Sequence, residues 1–354
     1  MSRLFLLFLI VLGISCKPSV KEKSGESAWG TPADSNRNVT VEKDLTVRYF
    51  EGPAGMLLQQ LREQGDYVNS RQFPSMIKPE TVFSELDSNN LIIDLRNAEY
   101  FERGHIRGAV HVPMENLLDY FENDIIPFRY DKIILVCNAG HLSGYATNLM
   151  RLMGYGNVYS MRWGMAGWNA DFAKDTWMKR ISSQYQDRLT TEESPKPLSR
   201  NQPVLQTTAA TGEELLRERV SQLLHEGPKG VFASNDEIFG NPENYFIINL
   251  ERKDKYDSGH IPGAVRYKQQ GFLGIPAEMG TLPIDRPIIV YCGTGMTSAF
   301  AVAYLRLFGY DARSLTSGNN GFMHDKMLEE QAQLSWHPFT ESTPEDFPYV
   351  KGMK

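Results

Sequence analysis

The chain has 354 residues, 41% of them hydrophobic and 23% charged, which excludes a disordered chain and allows two domains of ordinary size. The formal net charge of -6 argues against broad nucleic-acid binding, which calls for a basic face. The three cysteines, Cys16, Cys137 and Cys292, include no C-x-x-C pair, so they form neither a disulfide framework nor a zinc set. A single Cys137–Cys292 disulfide stays open in an oxidising compartment.

Residues 1–16 read as an export signal. Arg3 gives a positive start, Leu4 to Gly13 is an apolar run too short to span a bilayer, and Gly13, Ile14, Ser15 and Cys16 follow. A cysteine directly after such a run resembles a bacterial lipobox, although Gly13 stands where Leu is usual. The resemblance implies cleavage before Cys16, lipid on its thiol, and a membrane-anchored protein of the bacterial cell envelope, on the periplasmic side if Gram-negative. Simple secretion is the alternative. Residues 17–47, rich in Ser, Lys, Glu, Asn and Pro, read as a flexible tether.

Past the tether the chain repeats itself. IIDLRNAEYFERGHIRGAV (92–110) pairs with IINLERKDKYDSGHIPGAV (247–265), and IILVCNAGHLSGYATNLMRLMGY (133–155) pairs with IIVYCGTGMTSAFAVAYLRLFGY (288–310), at a constant offset of 155. After one deletion, Gly164, Gly167 and Asp171 match Gly318, Gly321 and Asp325. MLLQQLRE (56–63) and ELLRERVSQLL (214–224) extend the likeness upstream. A period this long is a duplicated domain rather than a solenoid. Domain 1 is placed at 48–185 and domain 2 at 210–335, joined by a polar linker at 186–209 and followed by a tail at 336–354 with little core content.

Within each unit, short apolar runs such as LIIDL and KIILVC predict buried parallel strands. They alternate with helical patterns such as SGYATNLMRLM, where Tyr145, Leu149 and Leu152 share a face and Gly154 ends the helix. The fold class is therefore α/β, two tandem domains each with a mainly parallel sheet flanked by helices.

The chemistry is expected where a strand runs into a cysteine, a glycine-containing loop and a helix. These loops are Cys137-Asn138-Ala139-Gly140-His141-Leu142-Ser143 and Cys292-Gly293-Thr294-Gly295-Met296-Thr297-Ser298. In open α/β sheets ligands bind beyond the carboxyl ends of strands. A tight loop there turns backbone N–H groups inward, and the following helix adds its positive end, both favouring a sulfur anion. Gly140 and Gly295 supply conformational freedom, and Ser143 and Ser298 are suited to cap the helix.

The pattern D-x-R, G-H-I-x-G-A, apolar strand, C-x-x-G-x-x-S, helix, G-Y and G-x-x-G-W resembles the rhodanese superfamily over about 90–172 and 245–325. The resemblance implies a sulfurtransferase. A cysteine thiolate takes sulfur from a small anionic donor, thiosulfate or 3-mercaptopyruvate, and passes it to cyanide, a thiol or a protein acceptor. It implies no metal and no cofactor. Domain 1 keeps Asp94, Arg96 and Glu99, read as an orienting scaffold; its loop has Leu142 where many members carry arginine, leaving His141 as the only potentially cationic group there. Domain 2 has Asn249 and Glu251 instead, yet its CGTGMTS loop is similar to that of mercaptopyruvate-using tandem enzymes, so Cys292 is read as the stronger nucleophile with Cys137 retained. Arg252 is a candidate donor contact whose simpler reading is a solvated surface arginine. His105 and His260 read as structural, Trp163, Trp168 and Phe322 as packing, and Met161, Met165 and Met296 as gap-fillers. The rival functions are a non-catalytic binding or sulfur-carrier module and, less well supported, a phosphatase or arsenate reductase. The latter would use a C-x₅-R loop, whereas Ser143 and Ser298 stand six residues after the cysteines.

Overall fold

In the computed structural model the described residues are 50–198, 201–269, 271–274 and 276–352, all within one unit, 42–354. The signal, Cys16 and the whole of the tether, 17–47, lie outside them.

Domain 1 carries five strands: β1 (Met76–Ile77), β2 (Asn90–Asp94), β3 (Val110–His111), β4 (Lys132–Val136) and β5 (Val158–Met161). All pair in parallel, in the order β1-β5-β4-β2-β3. Domain 2 repeats this with β6 (Phe232–Ala233), β7 (Phe246–Asn249), β8 (Val265–Arg266), β9 (Ile288–Tyr291) and β10 (Ala312–Leu315), in the order β6-β10-β9-β7-β8. The central strands bury both faces, which is why they read as unbroken apolar runs.

The strand order places the site. From β2 the chain crosses to β3 on one side, and from β4 it crosses to β5 on the other. The carboxyl ends of β2 and β4 therefore flank the point where connections diverge and a crevice opens. Asp94 and Val136 are in register across that pair, so Asp94, Arg96 and Cys137 emerge at one end of the sheet. Asn249 and Tyr291 occupy the same register in domain 2, next to Cys292.

Four long helices hold the halves together: α1 (Gly52–Glu63), α2 (His141–Leu152), α3 (Gly212–Glu226) and α4 (Met296–Leu307). Helix α2 lies against α4, and α1 against α3, with one apolar cluster running through both domains. The one-faced pattern expected for α2 is incomplete, because eleven of its twelve residues are buried. Its second face meets domain 2, where the Asn148 side-chain N–H₂ donates to the Phe300 carbonyl at 2.7 Å. Helix α3 opens with a capping box formed by Thr211 and Glu214.

Two segments differ from expectation. The 186–209 linker is laid on domain 2, with Thr190 and His260 exchanging backbone hydrogen bonds and Leu205 buried. The C-terminal segment is no loose tail. Trp336 and Phe339 are fully buried, Phe347 stacks on Phe83 at 4.1 Å, and Val350 pairs with His105 through two backbone bonds at 2.9 Å. It returns from domain 2 to domain 1 and fills grooves there, a long-range contact that a local pattern does not reveal.

Candidate active site

Cys137 directly follows β4. Gly140, at φ +84°, turns the loop so that backbone N–H groups face back toward the sulfur. The N–H groups of Gly140 and Ser143 donate to Cys137 Sγ at 3.2 and 3.3 Å. The Ser143 hydroxyl stands 3.3 Å from the same sulfur and 2.8 Å from the Ser160 hydroxyl. Ser143 thus lies in the first turn of α2 and serves the sulfur; Gly140 is the helix cap, and the capping role expected of Ser143 is not what forms. The same holds for Ser298, whose hydroxyl donates to the Gly295 carbonyl at 3.0 Å while Gly295 takes the cap position.

A second turn locks each loop from behind. The Met165 and Ala166 N–H groups donate to the carbonyls of Cys137 and Asn138, and Asn319 and Asn320 do the same for Cys292 and Gly293. This close approach requires Gly164 and Gly318: both have positive φ, and a Cβ on either would collide with the cysteine carbonyl.

Cys137 opens into a cleft of about 600 Å³. Asn138, Ala139, His141 and Leu142 of the loop line it, with Arg96, Tyr100, Met114 and Glu115 on the facing side. Arg96 is buried and bound to Asp94 through Nε at 2.9 Å and Nη2 at 2.7 Å, and Nη2 also donates to the Gly104 carbonyl at 2.6 Å. Pairing is what makes two buried charges tolerable, and it fixes the cleft wall. His105 and His260 are structural: each ring stacks on the aromatic residue four before it, and its Nδ1 bonds that residue's carbonyl.

The charge beside Cys137 comes from elsewhere than expected. His141 is buried, and burial, with Arg180 as a second cause, pushes its pKa down to about 4. Its ring is therefore neutral near pH 7, and Nε2–H donates to the Thr294 carbonyl of the other loop at 2.9 Å. His141 is a strut between the two loops and not a cationic anion ligand. The cation is Arg180, exposed and lining the same cleft as Cys137. It lies well beyond the loop, and no spacing rule in the sequence pointed to it. Pro228, Phe232 and Thr316 of domain 2 complete the cleft, which only the domain packing reveals.

The Cys292 loop is built differently. Exposure does not separate the two sulfurs, at 3% for Cys137 and 6% for Cys292. Hydrogen bonding does. Among the described residues Cys292 Sγ meets only the Ser298 hydroxyl, at 3.8 Å, and no backbone N–H. The Gly293 N–H instead donates to the Glu251 carboxylate, and Glu251 pairs with Lys255 at 3.4 Å. Met296 N–H turns to the Thr294 hydroxyl at 3.3 Å, while the Met296 sulfur accepts from Trp163 N–H at 3.3 Å. Thr297 is buried. Arg252 is exposed and paired with Asp254, as the simpler reading had it. Both cysteines are free thiols, so the Cys137–Cys292 disulfide does not form here.

A conserved-domain description, "Rhodanese-like domain", matches residues 78–171 and 236–325, more than half of the chain. The chain belongs to the rhodanese-like family, with the domain present twice. The thiosulfate sulfurtransferase PspE of Escherichia coli is 32% identical over 66 residues, 19% of this chain and 62% of its own. The thiosulfate sulfurtransferase GlpE of Pseudomonas entomophila is 26% identical over 100 residues, 28% of this chain and 89% of its own. Two of the curated relatives are spanned over only 62% and 64% of their length. Among solved structures, SseA from Escherichia coli, described as a 3-mercaptopyruvate sulfotransferase, aligns over 70% of this chain and 98% of its own at 17% identity and a TM-score of 0.26. At the level of the family, the domain match and the curated relatives PspE and GlpE support a role in sulfur transfer.

Proposed function

We propose that the protein is a sulfurtransferase in which Cys137 is the working nucleophile. The observation that carries this reading is the pair of N–H groups, from Gly140 and Ser143, aimed at a sulfur that opens into a cleft with Arg180 at its mouth. With thiosulfate as donor, the Cys137 thiolate attacks the outer sulfur. A new S–S bond forms on Sγ, the donor S–S bond breaks, and sulfite leaves with the electron pair. The persulfide then yields its outer sulfur to cyanide, a thiol or a protein, regenerating the thiolate. With 3-mercaptopyruvate the same attack breaks a C–S bond and leaves the pyruvate enolate. Arg180 would hold the donor anion.

This reverses the preference that the CGTGMTS loop suggested. In domain 2 the Glu251 carboxylate holds the Gly293 N–H, beside a sulfur that receives no backbone N–H among the described residues, and it repels an incoming anion. The non-catalytic reading therefore fits domain 2, which acts as one wall of the Cys137 cleft.

The anchored envelope location is part of the same proposal and rests on the residues up to Cys16. Incorporation of a labelled fatty acid that is lost in Cys16→Ser supports it; unchanged incorporation, or none, contradicts it. The activity is tested by initial rates with thiosulfate and cyanide. Parallel double-reciprocal lines are expected for a persulfide enzyme, and intersecting lines contradict it.

A further inference from the structure

We infer that Met296 of domain 2 is a positioning residue for sulfur transfer at Cys137: its sulfur wedges between the Cys137 loop and the turn behind it and keeps the loop N–H groups on the nucleophile. This rests on the reading of Cys137 as the sulfur acceptor.

The contacts are direct. Met296 is buried in the first turn of α4. Its Sδ accepts from the Trp163 N–H at 3.3 Å. A Cβ built on Gly140 would lie 2.7 Å from the same Sδ, so the sulfur sits against the glycine that turns the Cys137 loop. One side chain of domain 2 therefore touches both pieces that shape the surroundings of the nucleophile.

Trp163 carries a positive φ of +65°. A bulky residue keeps that conformation where its neighbours over-determine it. Trp163 leads into Gly164 and then into the Met165 and Ala166 N–H groups, which hold the carbonyls of Cys137 and Asn138 at 2.9 and 3.1 Å. That hold fixes the loop whose Gly140 and Ser143 N–H groups point at Cys137 Sγ. Removing the Met296 acceptor takes this partner from a buried N–H at the strained end of the chain of contacts, and the turn relaxes with it.

The duplication repeats the device in the other direction. Met296 is the counterpart of His141 at the offset of 155. The His141 Nε2–H donates to the Thr294 carbonyl at 2.9 Å, and a Cβ on Gly295, the counterpart of Gly140, would lie 3.1 Å from that nitrogen. Each loop is thus braced at its glycine by the fourth residue after the other loop's cysteine. Among the described residues only the domain 1 loop turns backbone N–H groups onto its sulfur, so the brace that bears on sulfur transfer is Met296.

Among the described residues Met296 is not one of those lining the Cys137 cleft, so it acts on the setting of the sulfur and not on donor binding. Single-turnover sulfur addition from thiosulfate is followed in the full chain by rapid quenching, with peptide mass locating the sulfur at Cys137. All rates are taken well below each variant's unfolding midpoint, where a role in packing alone leaves the rate of the folded chain unchanged. Met296→Leu nearly keeps the volume and removes the acceptor. Its rate at saturating donor is expected to fall about fivefold or more, with the half-saturating concentration within about twofold of native. Met296→Gln, whose side-chain oxygen accepts from the Trp163 N–H, is expected to recover part of the loss. A native rate in Met296→Leu, a change confined to half-saturation, or equal rates in the two variants overturns the inference; if Met296→Gln does not fold, Met296→Leu alone decides. No sulfur on Cys137 in the native chain overturns the sulfurtransferase reading and this inference with it.

Discussion

The Glu251 carboxylate accepts a hydrogen bond from the amide of Gly293, the residue directly after Cys292. Glu251 is the counterpart of Arg96 in the duplicated pattern, so the charge at this place has opposite sign in the two halves. In domain 1 an Asp94–Arg96 pair braces the wall of an open cleft. In domain 2 Asn249 accepts from the Glu251 amide at 2.8 Å, and the glutamate side chain reaches onto the loop. The two copies keep the same backbone frame while their loops face opposite charges.

His141 makes stability depend on pH. Its pKa falls from 6.5 to about 4 on folding. Below about pH 6.5 the unfolded chain takes up a proton that the folded chain refuses, so stability is lost as pH falls toward 4 and levels off beneath it. The full contribution is roughly 3 kcal/mol. Urea unfolding near pH 7 and about pH 4.5 is expected to show a smaller loss in His141→Gln than in the native chain. Equal losses would contradict the buried neutral ring.

Gly164→Ala and Gly318→Ala are expected to destabilise by at least about 2 kcal/mol each, because the new Cβ meets the carbonyl of Cys137 or Cys292 at a backbone conformation that suits glycine. Thermal unfolding checks this. Gly154→Ala, which has positive φ and open space around it, is the control and should cost less.

Arg180→Ala is expected to lower kcat/KM for an anionic donor by about tenfold or more, because it removes the one unpaired cation described in the cleft. Arg180→Lys should recover part of the loss. Steady-state rates with thiosulfate read both, while unfolding midpoints should stay close to native since Arg180 is exposed.

Phe339→Ala is expected to cost about 3–4 kcal/mol. The ring is fully buried and stacks on Trp177 at 5.1 Å, while its N–H donates to the Asn320 side chain at 2.7 Å. It therefore joins a domain 1 aromatic cluster to the Cys292 side of domain 2. Calorimetry checks this, and an unaltered transition would show that the C-terminal segment contributes little.

Much of the fold was legible because duplication printed it twice. LIIDL and KIILVC are strands buried on both faces, which leaves an unbroken apolar run, and the glycines at 140, 164, 295 and 318 mark turns that other residues resist. The loops were legible for the same reason. What was hidden depends on contacts between distant segments. Tyr145, Leu149 and Leu152 mark one face of α2, yet Asn148 and Arg151 are buried too, one at the contact with domain 2 and one against its own domain. Arg180 reaches the cleft through the path of the chain after Trp177, and Phe232 through domain packing. The segment 336–354 reads as a tail with little core content because the surfaces that Trp336, Phe339 and Phe347 cover lie elsewhere in the chain.

The central claim is tested most directly by intact-mass measurement of sulfur added to the reduced full chain, beside Cys137→Ser and Cys292→Ser, after reaction with thiosulfate or 3-mercaptopyruvate. The account predicts one added sulfur in the native chain, the same in Cys292→Ser, and none in Cys137→Ser. Sulfur that persists in Cys137→Ser and disappears in Cys292→Ser would contradict it and return the chemistry to the second domain.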